Sequence, residues 1–235
     1  VYTHIGHFAA AGEAFAKALF LGGVTRRFPN LKFCFLEGGV GWAANLYNDL
    51  CEHWEKRNVT ALRANLDPGT VDRQQMRALF EEYGNAQYRK HAAEIEKGYD
   101  HPLMAPTGEE PEPTDEFVAC GISKGRDIYK RFVPNFYFGC EADDRMAATA
   151  FNPRLNHFDA RLKAMFGSDV GHFDVPDMTQ VLAEAFDLVE HELISQDDFR
   201  DFTFTNVAEL HASMNPNFFK GTVVEHDVAK LMASR

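Results

Sequence analysis

The stretch Leu162-Lys163-Ala164-Met165-Phe166-Gly167-Ser168-Asp169-Val170-Gly171-His172 decides how the rest of the chain is read. Leu162, Ala164 and Phe166 alternate onto one face, Met165 thickens the apolar run, and Gly167-Ser168 stop it. The pattern predicts a short strand that delivers Asp169 at its carboxyl end, with His172 three residues further on. Folds built on parallel strands draw catalytic groups from that end, where the strand fixes the backbone and the following loop leaves the side chain open to substrate. Asp169 is therefore a candidate metal ligand or general base, with His172 as its partner. The competing reading makes Asp169 a turn cap and His172 an ordinary loop residue.

Two further runs extend the pattern. Leu31 to Leu36 puts Phe33 and Phe35 on one face and Cys34 and Leu36 on the other, so both faces are expected to be buried, as in a parallel sheet. It runs into Glu37-Gly38-Gly39-Val40-Gly41, after which Leu46, Leu50 and Trp54 give helical spacing from Trp42 to Arg57. Asn135 to Cys140 reads as a strand ending at Glu141, and Asp143-Asp144 open a helix whose acidic first turn suits the helix dipole. Phe8 to Arg27 is expected to form one helix, ended by Pro29. After Asp169 the periodicity predicts helices from about Asp177 to Glu192, from Gln196 to Asp201, and from Thr205 or Asn206 onward. Alternating strands and helices argue for parallel strands joined by helical crossovers. A polar insertion at about 58–116 separates the first two strands. Asp67 to Lys97 is expected to be helical in two pieces. His101 to Asp115, with Pro102, Pro106, Pro111 and Pro113, reads as a solvated surface loop rather than a lid, because Glu109-Glu110 and the prolines offer little to bury.

Composition narrows the function classes. The 235 residues suit one large domain or two small ones. Twenty-four basic residues against 35 acidic ones give a formal charge of −11 with no Lys/Arg-rich run, which excludes nucleic acid as a partner. No apolar run approaches the ~18–20 residues needed to cross a bilayer. Ala9 to Leu21 is broken by Glu13 and Lys17 and lacks the basic lead of a signal peptide. Cys34, Cys51, Cys120 and Cys140 are scattered and form no CxxC pair, as expected for reduced thiols in a cytoplasmic protein. The expected partner is a small-molecule substrate, with a homo-oligomer possible and no membrane. The chain opens on Val1-Tyr2-Thr3-His4 without an initiator methionine, which predicts a gene that starts upstream.

Three parallel strands cannot close a barrel, which requires about eight. The chain is then either a small open sheet or the later part of a larger fold. Here several motifs carry a resemblance: Phe28-Pro29-Asn30-Leu31-Lys32-Phe33, Leu36-Glu37-Gly38-Gly39-Val40-Gly41-Trp42, Phe138-Gly139-Cys140-Glu141, Phe166-Gly167-Ser168-Asp169, and Phe218-Phe219-Lys220-Gly221-Thr222-Val223-Val224-Glu225. Taken in this order, the chain resembles the later half of an amidohydrolase-related, TIM-barrel metal-dependent hydrolase, a family that also contains decarboxylases.

The resemblance implies an α/β fold, the C-terminal part of a distorted (β/α)8 barrel, formed by residues 1–235 as a single partial domain. It implies a divalent metal, zinc above others, held by imidazole and carboxylate groups and activating a bound water. Asp169 matches the family's aspartate after the eighth strand, a ligand or base, and Glu37 stands where many members place a histidine ligand. Glu37 stands equally as a substrate-facing acid, and with it Trp42, Glu141 and His7 are candidate substrate contacts, while His172 is a catalytic partner of Asp169. The implied activity is hydrolysis of a C–N or C–O bond, with decarboxylation of a small acid as the alternative. The family's His-x-His pair has no counterpart in this chain, so a truncated or degenerate barrel that binds without catalysing stands as a reading of another class.

Overall fold

The computed structural model describes residues 5–65, 67–95 and 115–234. Val1 to His4 and, apart from Asp115, the expected proline-rich loop lie outside the described residues. In chain order the helices and strands are α1 (His7–Leu21), α2 (Val24–Arg27), β1 (Phe33–Phe35), α3 (Gly41–Arg57), α4 (Val59–Asn65), α5 (Arg73–Tyr83), α6 (Ala86–Lys90), α7 (Glu116–Ala119), α8 (Gly125–Phe132), β2 (Phe136–Cys140), β3 (Lys163–Phe166), α9 (Val181–Glu190), α10 (Gln196–Arg200), α11 (Asn206–Met214) and α12 (Glu225–Ala233). Short 3₁₀ turns lie between several of them. The chain divides into two units, one of Val1–Glu52 with Phe117–Arg235 and one of His53–Glu116.

The first unit is organised by a parallel sheet in the order β1-β2-β3. The central strand β2 is buried along its whole length, as its unbroken Phe-Tyr-Phe-Gly-Cys run requires. In register, Phe33 lies opposite Phe136, Phe35 opposite Phe138, and Cys140 opposite Phe166. Phe35 and Phe138 stack at 5.8 Å, and Phe132 of α8 meets Phe136 edge-on at 4.9 Å. Phe20 of α1 and Tyr47 of α3 pack against Phe132 from the other side. Each such pair adds about 0.5–1.5 kcal/mol beyond the area it buries, so this aromatic layer is the main anchor of the sheet. On the opposite face, Tyr137 and Met165 pack under Leu210 of α11. A π-helical turn, Asp201–Thr205, joins α10 to α11, and Asn206 at its end donates to the Ala164 carbonyl at 2.8 Å.

The expected barrel is not met. Among the described residues helix accounts for 60% and strand for 6%, and the three strands form a small open sheet. Closure needs about eight tilted strands in a continuous stagger, whereas β1 and β3 have one strand neighbour each. Short motifs at strand ends specify how a strand is left, and they carry no information on closure.

Smaller differences have local causes. The single helix expected from Phe8 to Arg27 is broken by Gly22-Gly23, where Gly23 takes φ +69 and restarts the chain as α2. The Cys34 and Leu36 face of β1 is exposed, Leu36 at 62%. Asp144 caps a 3₁₀ turn, Arg145–Phe151, by accepting from the Met146 amide at 2.9 Å, where an α-helix was expected. The helix expected from Asp177 begins at Val181.

In the second unit, α5 and α6 start on side-chain caps, Asp72 accepting from Gln75 N and Asn85 from Tyr88 N. Buried Asp115 accepts from Val59 N at 3.0 Å, holding the start of α4 to the end of the segment. Among the described residues no helix is long and apolar enough to cross a membrane.

Candidate active site

Because the strands are parallel, the turns that leave β1, β2 and β3 emerge at one end of the sheet. They carry Glu37, Glu141 and Asp169. Their backbones are tied together: Gly39 N donates to Gly139 O at 3.1 Å, and Gly167 N to Cys140 O at 2.8 Å. Glu37 and Asp169 hold left-handed conformations, φ +59 and +49, as do Phe158, Asp159 and Glu192 elsewhere. Such backbone costs about 1–3 kcal/mol for a residue with a side chain, and it persists only where the surroundings over-determine it.

The three acids do not converge equally. Glu141 has its carboxyl raised above the ordinary value, first by desolvation, then by the Asp169 charge, then by Asp143, Asp144 and Asp174. Asp169 is half-buried, and the Nδ1 of His172 lies 3.6 Å from its Oδ2. That is ion-pair distance, and too long for a hydrogen bond. The pair is set by the turn, in which His172 N donates to Asp169 O at 3.0 Å. Glu37 is exposed and is not among the charges acting on Glu141.

Asp144 reaches into the same end of the sheet from the β2 turn. Its Oδ2 lies 2.6 Å from where a Cβ on Gly39 would stand, so the missing side chain at Gly39 makes room for it. Desolvation raises the Asp144 carboxyl against the opposing hydrogen bonds from Met146 N and the Cys140 thiol. Burial in turn pushes the Cys140 thiol well up.

Trp42 packs edge-on against Phe35 and Phe138, both at 5.4 Å, with Gly12 and Gly38 against its ring. Its Nε1 is buried without a hydrogen-bond partner among the described residues. Trp42 thus joins α1 to the sheet, and it also lines a shallow groove with Phe8, Phe15 and Leu36. His7 is the exposed first residue of α1. The backbone of nearby Ala9 approaches Gly38, with its N 3.3 Å from the Cβ position there.

The structure therefore gathers Glu141, Asp169 and His172, leaves Glu37 and His7 at the margin, and gives Trp42 a packing role. Asp144 and Asp174 escape the sequence reading as site residues. Asp143-Asp144 signal a helix start in sequence, and only the space left at Gly39 shows where Asp144 goes. Asp174 acts through space from a loop with no pattern. Among the described residues no three His, Cys, Asp or Glu side chains stand close enough together to hold a metal. Asp169 with His172 supplies one oxygen and one nitrogen. The residues described do not by themselves fit a zinc shell, which takes at least three protein ligands.

No family model, no curated protein and no solved structure matches the chain.

Proposed function

We propose that the chain is a hydrolase of a C–N or C–O bond in a small molecule, working through Glu141, Asp169 and His172 at the carboxyl ends of β2 and β3. One observation carries the reading: the Glu141 carboxyl is raised above its ordinary proton affinity by desolvation and then by the charge of its neighbour Asp169, which itself stands 3.6 Å from an imidazole. Two titratable groups whose environments differ divide acid and base roles between them. Glu141, whose proton affinity is raised, takes the acid role and donates a proton to the leaving nitrogen or oxygen. Asp169, with His172 beside it, takes the proton of the attacking water. These steps use the chain's own groups, and the order of the strand-end motifs, which resembles the amidohydrolase-related enzymes, adds to the reading.

The test is a panel of amides, lactams and esters with chromogenic leaving groups, assayed with the full chain and with Asp169→Asn. Hydrolysis that disappears in the variant at an unchanged melting temperature supports the proposal. Hydrolysis that survives in the variant overturns the assignment, and release of CO2 from an added acid in place of hydrolysis would make the chain a decarboxylase.

A further inference from the structure

A surface helix ordinarily carries one apolar stripe, which faces its own core. In α1 the apolar side chains reach much further round. Its fifteen residues include three polar ones, His7, Glu13 and Lys17, and the last two are paired with each other at 3.2 Å. Ala16, Leu19 and Phe20 are buried, Phe20 against Phe132. A second face stays open. Phe8, Ala11, Phe15 and Ala18 recur three and four residues apart and so form one seam along the helix, with Ala14 beside it. All five are exposed, Phe8 at 42% and Phe15 at 58%. Between this seam and the end of β1 runs a groove of about 340 Å³, in which Phe8, Ala11 and Phe15 meet Leu36 and Trp42. Among the described residues nothing covers it.

We propose that this face is the contact surface for a second copy of the chain, the two α1 helices crossing antiparallel about a twofold axis between Ala11 and Phe15. Shape, area and charge select that occupant. The seam is self-complementary: an axis at that point sets Phe8 opposite the partner's Ala18 and Phe15 opposite the partner's Ala11. Each ring then meets a small side chain, as the matching of one patch with itself requires. Ile5 just ahead of the helix and Leu36 across the groove are exposed as well. Together these side chains offer roughly 600 Å² per chain, so two copies clear the ~1,000 Å² that a specific interface needs. An area of this size makes a reversible dimer, whose population rises with concentration. A formal charge of −11 disfavours contact between copies in general, but the charges on α1 cancel in the Glu13–Lys17 pair. Glu37 lies beyond Leu36, at the rim, where interfaces are polar. A lipid surface fits less well, because helices that lie on membranes are rich in Lys and Arg along the polar flank, and α1 has Lys17 alone.

The experiment is sedimentation equilibrium of the full chain over about a hundredfold range of concentration. A monomer–dimer equilibrium that closes at two chains is expected. Ala11→Glu enters a twofold interface twice and sets a carboxylate against each Phe15 ring, so it should weaken association by about tenfold or more. Ala11 is exposed, so circular dichroism and the melting temperature in dilute solution should stay as they are. Ala18→Glu should act alike, and Val223→Glu, at an exposed residue outside the patch, should leave the dimer intact. Asp169→Asn should dimerise like the unaltered chain, so this inference and the hydrolase reading fail separately. A monomer throughout the range, association that grows past two chains, or a dimer indifferent to both alanine variants would overturn the proposal. Binding of the monomer to phosphatidylcholine vesicles that Ala11→Glu abolishes would also overturn it, in favour of a lipid surface. A longer gene product that is monomeric and loses stability with Ala11→Glu would do the same, in favour of preceding chain.

Discussion

Asp169, at the end of one strand, raises the proton affinity of Glu141, at the end of the next. Desolvation is the larger cause of the raised Glu141 carboxyl, and the Asp169 charge adds to it. Removing the Asp169 charge should therefore release part of the Glu141 shift. In Asp169→Asn the Glu141 carboxyl should titrate closer to its ordinary 4.5, a change read by carbon NMR of the labelled side chain. Asn is among the residues that best tolerate the left-handed φ of +49, so the turn should survive and the melting temperature should hardly move. A Glu141 titration that does not respond would remove the coupling on which the acid and base roles rest.

The partly buried carboxyl of Asp144 gives a pH signature with a definite sign. Its proton affinity is raised in the folded chain, so the folded state binds more protons than the unfolded one above the ordinary value of 3.8. Stability from this group is present below that value and is lost as pH rises through the raised one. Asp144→Asn keeps a cap for Met146 N and removes the ionisation. The variant should match the parent at pH 3 and exceed it in urea midpoint at neutral pH. An identical difference at both pH values would mean that desolvation is not what acts on Asp144.

Asp198 behaves in the opposite sense. Although desolvation pushes its carboxyl up, hydrogen bonds from the Ser195 hydroxyl and amide and the charge of Arg161 hold it below the ordinary 3.8. Its contribution is present above that value and is lost as pH falls through the lowered one. Asp198→Asn should therefore reduce stability at neutral pH and flatten the acid limb of the unfolding curve. A steeper acid limb in the variant would contradict this.

Gly39 is where the β1 turn makes room for Asp144. Gly39→Ala adds a Cβ at φ +65 and 2.6 Å from Asp144 Oδ2. The backbone term alone is about 1–3 kcal/mol. The double variant Gly39→Ala with Asp144→Ala relieves the clash and keeps the backbone strain, so the two changes should be non-additive in denaturant midpoints. Simple additivity would show that the loops shift apart without touching.

Zinc should bind weakly. Asp169 and His172 offer two donors where a tetrahedral site wants more, and His172→Ala should abolish what binding there is in competition with a chromophoric chelator. Stoichiometric binding that resists the chelator would require ligands beyond the described residues.

Much of the sheet was legible because its signals are local. Phe33 and Phe35, the run from Phe136 to Cys140, and Ala164-Met165 are apolar on the strand period and end in turn residues, and each lies in a strand of the structure. What covers a strand was not legible. Cys34 and Leu36 are as apolar as Phe33 and Phe35, yet one set faces solvent and the other the aromatic layer, a difference made by elements distant in the chain. The barrel failed for the same reason, since closure is a property of strands taken together. At the site, Asp169 and His172 were legible as a turn motif three residues apart. Asp144 was not, because its partner Gly39 is over a hundred residues away.

That separation also governs how the molecule is assembled. Asn135 holds the entrance of β1 by donating to the Leu31 carbonyl across 104 positions of sequence. The pairing of β1 with β2 must wait until a long excursion of chain has closed on itself. Closure entropy rises only logarithmically, about 0.6 kcal/mol for each doubling of the loop, so added length in this excursion would by itself cost little equilibrium stability. The rate is another matter, because contacts of such range slow the search for the native arrangement. The β2 and β3 pair, only a short excursion apart, should register first, and the arrival of β1 should be the slow event that completes the mouth carrying Glu141 and Asp169.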